Sequence, residues 1–548
     1  MSRDRVVIGV DVGTGSARAG VFDLNGNLLA SATEPIQLWK PKPDYAEQSS
    51  TDIWRAVCTV VRDSREQAGV PPEAVLGIGF DATCSLVAVG ANGEPVAVNE
   101  DGVAERDIIV WMDHRALAEA DEINAGGYDV LRYVGGRVSP EMETPKLLWL
   151  KRHLPSTWAW TAKFFDLADY LTWRSTGVDV RSLCTVVCKW TYLGHEGARG
   201  RWDREYFRSI GIGDLFDGNR VVDDVRPMGE RIGPLTPRAA ADLGLTTATS
   251  VGVGIIDAHA GGLGLMGAVW RGKSDTDLSA LETALALIGG TSNCHMAVSR
   301  QPRFISGIWG PYYGAMVPGM WLTEGGQSTA GSAIDHVIAA HANAPRLEAE
   351  AKRRRRTVYE LLNEEVARLQ AAQGCGPEVT RGVHVLPYFL GNRSPKADPH
   401  ARAVIDGLSL DTSITSQALR YYATIQAVAY GTRDIIAAMN RAGYSIRKVF
   451  VTGGGTRNPL WLQEHADATG CTFILPKEPE AVLLGSAILA ATAAGAYPSI
   501  YKAMQGMSGA GATVRPRRET AAYHRAKFAI FQDMYREQLK RRRRMDGF

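Results

Sequence analysis

"VVIGVDVGTGSARAGVFDLNGNLLA", Val6 to Ala30, is the stretch that decides the fold. An apolar run ends at Asp11, a tight Gly-Thr-Gly follows, a second apolar run comes next, and "LNGN" supplies a hairpin turn. The reading is strand, turn, strand, with polar residues gathered in the turn. Gly13 and Gly15 let a ligand approach the backbone closely. Thr14 and Ser16 can donate hydroxyls, and Arg18 can reach a terminal phosphate. Asp11, at a strand end, can anchor magnesium through water, because that ion dehydrates reluctantly.

Two more turns of this kind occur further along. "LETALALIGGTSNCHMAVS", Leu281 to Ser299, reads as strand, Gly-Gly-Thr-Ser, strand. "KVFVTGGGTRNPLWLQEHADATG", Lys448 to Gly470, reads as strand, glycine turn, helix, with a helix N-terminus behind the turn. One such turn is an ordinary loop. Three, together with Asp11 and Asp257 at strand ends, point to a phosphate site. "TSVGVGIIDAHAGGLGLMGAV" places Asp257 between an apolar strand and a helical run of small residues. Both halves thus carry a strand, a Gly/Thr/Ser turn and a second strand, a duplication that suggests two related α/β domains around a cleft.

Elsewhere, "TDIWRAVCTVVRDSREQAG" has helical periodicity and stops at Gly69 before two prolines. "EMETPKLLWLKRHLPSTW" and "FFDLADYLTWRSTG" read as helices. "RLEAEAKRRRRTVYELLNEEVARL" reads as one charged amphipathic helix and "AAYHRAKFAIFQDMYREQLKRRRR" as a final one. Both basic runs read as solvated helix surface rather than nucleic-acid patches.

Bulk properties narrow the classes. At 548 residues, two domains are expected, and 45% hydrophobic with 22% charged residues is globular composition. A net charge of +2 gives no field favouring nucleic acid. The N-terminus lacks the apolar core of a signal peptide, and "AVLLGSAILAATAAGAY" fits a packed helix better than a membrane span. Seven scattered cysteines, with no second pair to match Cys184 and Cys188 at zinc spacing, suggest reduced thiols and a cytoplasmic chain. Two formal nucleotide motifs fail on context. "GAVWRGKS", Gly267 to Ser274, has a helix leading into it and no clean helix start after it, and "GLGLMG", Gly262 to Gly267, starts inside a helix.

In chain order, "GVDVGTGSAR", "GIIDAHAGGLG", "GGTSN", "EGGQSTAG", "LPYFLGNRSPKADPHARAVIDGL" and "VTGGGTRNPLWLQEHAD" resemble the FGGY carbohydrate kinases from Val6 to about Ala490. The resemblance implies an α/β chain of two ribonuclease-H-like domains, of the actin, hexokinase and Hsp70 type, with a cleft between them. It implies a first domain over residues 1–265 with the sugar site and first phosphate loop. A second, over 266–548, would hold the adenosine site and the C-terminal helix. The implied substrates are ATP with Mg2+ and a sugar, and the implied assembly is a homodimer without nucleic acid or membrane partners.

Within the family, "DATCSLVAV" and "WMDHRA" resemble ribulokinases, the former the D-ribulokinase branch, whereas the first-loop and polyol signatures of glycerol kinases are missing. The implied reaction is transfer of the γ-phosphoryl group to the terminal hydroxyl of a ketopentose, D-ribulose in the first instance. Asp257 would be the base, with Lys189, Glu324, Asp257 and the backbone of Ala82 to Ser85 on the sugar. Thr14, Ser16, Arg18, Gly290 and Thr291 would hold phosphates, Gly454 and Asn458 would lie on the adenosine side, and Asp11 would hold the metal. Asp113 and His114 are weaker sugar contacts, His259 a packing partner of the base, and Cys84 a residue that shapes the pocket. L-ribulose, xylulose or another polyol is the alternative acceptor. A protein-binding ATPase of the actin or Hsp70 type is the alternative class.

Overall fold

The structure, a computed structural model, describes residues 4–270, 274 and 277–546. The opening hairpin forms as the alternation of apolar runs and Gly/Asn turns requires. Strand β1 (Val6–Val12) pairs antiparallel with β2 (Ser16–Asp23), and β2 with β3 (Leu28–Pro35). The turn between β1 and β2 closes through the Gly13 N–H on the Ser16 carbonyl at 3.0 Å. Helix α1 (Ser50–Ala68) packs on β2 and β3, starts at the Ser49 cap and ends at Gly69 in the left-handed region. Strand β4 (Val75–Ala82) lies parallel to β1, so that Asp11 and Asp81 are register partners. Helix α2 (Leu183–Lys189) follows, then β5 (Arg231–Pro234), β6 (Ser250–Gly252) and β7 (Ile255–Ile256), which complete a seven-stranded sheet of order β5-β6-β4-β1-β2-β3 with β7 also on β4.

After helix α3 (Asp257–Met266) the plan repeats. Strands β8 (Ala284–Gly289), β9 (Asn293–Ser299), β10 (Trp309–Tyr313) and β11 (Trp321–Gln327) form the antiparallel part. The 28-residue helix α4 (Ile414–Arg441) leads to β12 (Lys448–Gly453), helix α5 (Pro459–Thr469) and β13 (Thr472–Pro476). Helix α6 (Ala481–Ala493), β14 (Ala510–Val514) and helix α7 (Ala521–Met545) follow. The second sheet has order β10-β11-β9-β8-β12-β13-β14, with β8 parallel to β12 as β1 is to β4. Its hairpin turn closes in the same way, the Gly290 N–H donating to Ser292 at 2.8 Å.

The two halves exchange helices at their junction. Helix α6 lies on β1, β4 and β6 of the first sheet, and α3 on β8 and β12 of the second, while the two helices pack on each other. Glycine permits the closeness. A Cβ at Gly9 would sit 2.1 Å from the Leu483 carbonyl oxygen, and one at Gly79 2.1 Å from that of Ser486. The small-residue composition of α6 therefore serves burial against backbone, and no described helix is long and apolar enough to cross a membrane. Gly264, inside "GLGLMG", likewise faces the Ala481 carbonyl, 2.1 Å from a Cβ placed there, so this glycine serves helix packing. Of "GAVWRGKS", Gly267–Val269 form a 3-10 turn, and Arg271 to Lys273 lie outside the described residues.

Two sequence expectations change. The charged helix is two helices, Ala344–Arg354 and Val358–Gln373. Arg355 turns left-handed, and Thr357 with Glu360 forms a capping box that restarts the chain. In "FFDLADYLTWRSTG" the leading Phe164 and Phe165 belong to a strand, Lys163–Asp166, paired with Leu86–Val89, and the helix begins only at Leu167.

Candidate active site

The ends of β1, β4, β7 and β8 converge on a cavity of about 610 Å³ between the two halves. Asp11, Thr14, Ser16 and Arg18 line it from the first hairpin, Gly290 and Thr291 from the second, with Lys189, Asp257 and Glu324. Nine of the candidate residues thus share one chamber. A second cavity of about 530 Å³ holds Gly453, Gly454, Thr456 and Arg457. Arg18, Ile288 and Val482 line both, so the two chambers meet at the Arg18 side chain.

Asp257 opens α3. Its carboxylate accepts from the Ala258 N–H at 2.7 Å and remains partly exposed to the cavity. Enclosure, with the charge of Asp11 added, raises its pKa to about 6. Asp81, fully buried beside Asp11, is pushed well above the carboxylate range, first by burial and then by Asp11. It accepts from Ser486 Oγ at 2.5 Å, and its Oδ1 has no hydrogen-bond partner. Arg18 clamps Asp11 through Nε at 3.0 Å and reaches Glu480 at 2.9 Å. Crowded carboxylates with an orphaned buried oxygen are a hard-oxygen donor set that suits a magnesium ion. A Cβ at Gly15 or Gly454 would meet nothing within 4 Å, and at Gly13 and Gly290 only a carbonyl at 3.7 Å. These backbones are open to a phosphate-sized ligand.

On the opposite wall, Lys189 comes from the last turn of α2 and Glu324 from β11. Burial works against the Lys189 charge, but Cys84, Tyr312, Glu141 and Glu324 raise its pKa well above the usual value. Glu324 is pulled down to about 2, against its burial, by the His259 hydrogen bond and by Arg393, His259 and Lys189. His259 Nε2 lies 3.4 Å and Arg393 Nη2 3.2 Å from Glu324. The Arg393 guanidinium stacks 3.8 Å over Trp309. Fixed donors and acceptors of this kind, around an apolar floor, suit a polyhydroxylated ligand.

Five candidates sit differently. Ala82 and Ser85 are fully buried behind the wall, and it is Thr83 and Cys84 between them that line the cavity. Ser85 Oγ lies 3.1 Å from Thr83 Oγ1 and accepts the Trp111 N–H at 3.1 Å. Asn458 caps α5, accepting from the Leu460 N–H at 3.1 Å and donating to Tyr421 at 2.7 Å, and does not line the second cavity. Asp113 is buried in an ion pair with Arg115 at 2.7 Å. His114 lies 3.7 Å from Glu141 and outside the cavity lining. Burial pushes the Cys84 thiol up to about 12, so it stays protonated and contributes shape. Thr14 Oγ1 accepts from Trp111 Nε1 at 2.9 Å and keeps its own proton to donate.

Sequence reading missed Asp81, Arg393, Glu141 and Trp111. The signal for Asp81 was present, since "GVD" and "GFD" end adjacent parallel strands. Arg393 carried none beyond its place in the glycine- and proline-rich loop.

Comparison with known proteins agrees with this geometry. Residues 6–264 and 285–494 match the N-terminal and C-terminal domains of the FGGY family of carbohydrate kinases. The chain is 45% identical over 96% of both chains to the FGGY carbohydrate kinase domain-containing protein of Homo sapiens. It is 42% identical to a D-ribulokinase of Saccharomyces cerevisiae, over 89% of this chain and 71% of that one. A xylulose kinase from Rhodospirillum rubrum shares the fold at a TM-score of 0.75 and 23% identity, over 97% of this chain and 99% of that one.

Proposed function

We propose that this chain, which belongs to the FGGY family of carbohydrate kinases, transfers the γ-phosphoryl group of ATP to the C5 hydroxyl of D-ribulose. The observation that carries the reading is Asp257. This carboxylate, with a pKa raised to about 6, faces a chamber that has phosphate-type turns on one side and Lys189, Glu324 and Arg393 on the other. D-ribulose is favoured by the 42% identity to the yeast D-ribulokinase.

A sugar hydroxyl is a weak nucleophile, and a positioned carboxylate takes its proton as the new P–O bond forms. Asp257 does this, and its raised pKa makes it a better base than an exposed aspartate. Lys189 and Arg393 donate to the sugar oxygens, Glu324 accepts, and Thr83 and Cys84 shape the floor. The N–H groups of Gly15 and Thr291 and the hydroxyls of Thr14 and Ser16 cradle the β- and γ-phosphates, in turns that the Gly13 and Gly290 N–H groups hold closed. Arg18, at the neck between the chambers, faces the transferring group. Asp11 and Asp81 would hold Mg2+, which would supply neutralisation of the phosphate charge. The turn at Gly454 lines the adenosine chamber. A division at residue 265 leaves Lys189 and Asp257 on the first domain, and puts Glu324, Arg393 and the adenosine chamber on the second. A cytoplasmic homodimer is part of the same reading.

The test is ADP release with Mg-ATP against D-ribulose, L-ribulose, D-xylulose, L-xylulose, ribitol and glycerol. The expected result is a kcat/KM for D-ribulose at least about tenfold above each other acceptor, one transition-state contact's worth. Preference for L-ribulose would move the substrate and keep the chemistry. No stimulation by any sugar would remove the kinase reading.

A further inference from the structure

Behind the sugar wall lies a cluster that phosphoryl transfer does not use. Cys184 and Cys188 stand four residues apart on α2, so both thiols face the same way. His259, in the first turn of α3, points its Nδ1 at Cys184 Sγ across 3.0 Å. All three side chains are buried, and one donor atom from each lies within 4.8 Å of the others. The opposite ring nitrogen of His259, Nε2, lies 3.4 Å from Glu324. In that contact the Nε2–H donates to the carboxylate, which leaves Nδ1 as the ligand atom, the arrangement in which metal-bound histidines are held.

We propose that Cys184, Cys188 and His259 form a binding site for a thiophilic divalent ion, zinc in the first instance, set directly behind the sugar chamber. Three donors of the Cys2His type are one short of the four that zinc takes. Cys188 and His259 both line the cavity, so the fourth position opens toward it and is filled by water or a sugar hydroxyl. A tetrahedral ion keeps sulfur and nitrogen donors roughly 3.5 Å apart. The present 3.0 Å between Cys184 Sγ and His259 Nδ1 is the spacing of a shared proton, and the ion takes that proton's place. Soft thiolates discriminate against magnesium, which keeps this site chemically separate from the Asp11–Asp81 carboxylates. The inference does not depend on which sugar is phosphorylated.

The experiment uses the full, untagged chain, reduced and freed of metal, titrated with Co2+ and followed by absorption. The expected result is a thiolate-to-cobalt charge-transfer band that saturates at one equivalent, is displaced by Zn2+, and is lost in Cys184→Ser/Cys188→Ser. A cobalt spectrum without that band, or an equal band in the double variant, overturns the proposal. Because the variant can fail to fold, alkylation of the unmodified chain is read by mass spectrometry in parallel. Zinc is expected to slow labelling of Cys188 by about tenfold or more, since a metal-bound thiolate is a poor nucleophile, and to leave Cys375 unchanged. Equal labelling of Cys188 with and without zinc contradicts it.

Discussion

At the residue scale, the chemistry depends on which carboxylates ionise. In the proposed reaction Asp257 must be charged to accept the hydroxyl proton, and its pKa is raised to about 6. The pH profile of kcat/KM for the sugar should therefore be level above that value and fall about tenfold per unit below it, as one ionisation is lost. A profile flat down to the ordinary aspartate range would deny Asp257 the role. Lys189 tests the sugar wall. Lys189→Met removes a buried donor facing Glu141 and Glu324, and a hydrogen bond from a charged group is worth about 1.5–3 kcal/mol. The KM for the sugar should rise about tenfold to a hundredfold while that for ATP stays put, checked by initial rates with each substrate varied. Lys189, Glu324 and Asp257 were legible because their neighbours follow a recognisable order. Asn458 caps α5, and a residue that caps a helix and one that touches a nucleotide look alike in a glycine turn. Asp81 was passed over because a buried strand ending in aspartate is unremarkable until its parallel neighbour also ends in one.

At the element scale, the hairpins were legible because turn chemistry and alternation both act locally. The break between Ala344–Arg354 and Val358–Gln373 was hidden by continuous charge periodicity, although Thr-x-x-Glu is a start signal in its own right. Thr357→Ala should cost about 1 kcal/mol through loss of that cap, read as a lower midpoint of urea unfolding with activity retained. The contact of α6 with β1 is stricter. Gly9→Ala places a methyl 2.1 Å from the Leu483 carbonyl oxygen, and backbone on both sides leaves nothing flexible to yield. Overpacking of this kind costs about 3 kcal/mol or more. The variant should unfold at lower urea and lose Mg-ATP affinity together, since β1 also carries Asp11.

At the scale of the whole molecule, the duplication of strand, turn and strand was visible in the sequence, but the exchange of helices was not. No local pattern tells α3 to cover the second sheet or α6 the first, since each is simply a run of small apolar residues. The exchange sets both halves against one helix pair, with Asp257 at its mouth, so ligands that span the cleft hold the halves together. D-ribulose at a hundred times its dissociation constant should stabilise the fold by about 2.7 kcal/mol, seen as a rise in Tm that glycerol at the same concentration does not give. The measurement that tests the central claim most directly is steady-state turnover of Asp257→Asn with D-ribulose and Mg-ATP, beside direct binding of ATP. The account predicts kcat lower by about 10²–10⁴, the usual contribution of a positioned base, with ATP affinity within about twofold of the unmodified chain. A variant that binds ATP normally and phosphorylates D-ribulose at close to the original rate would contradict it.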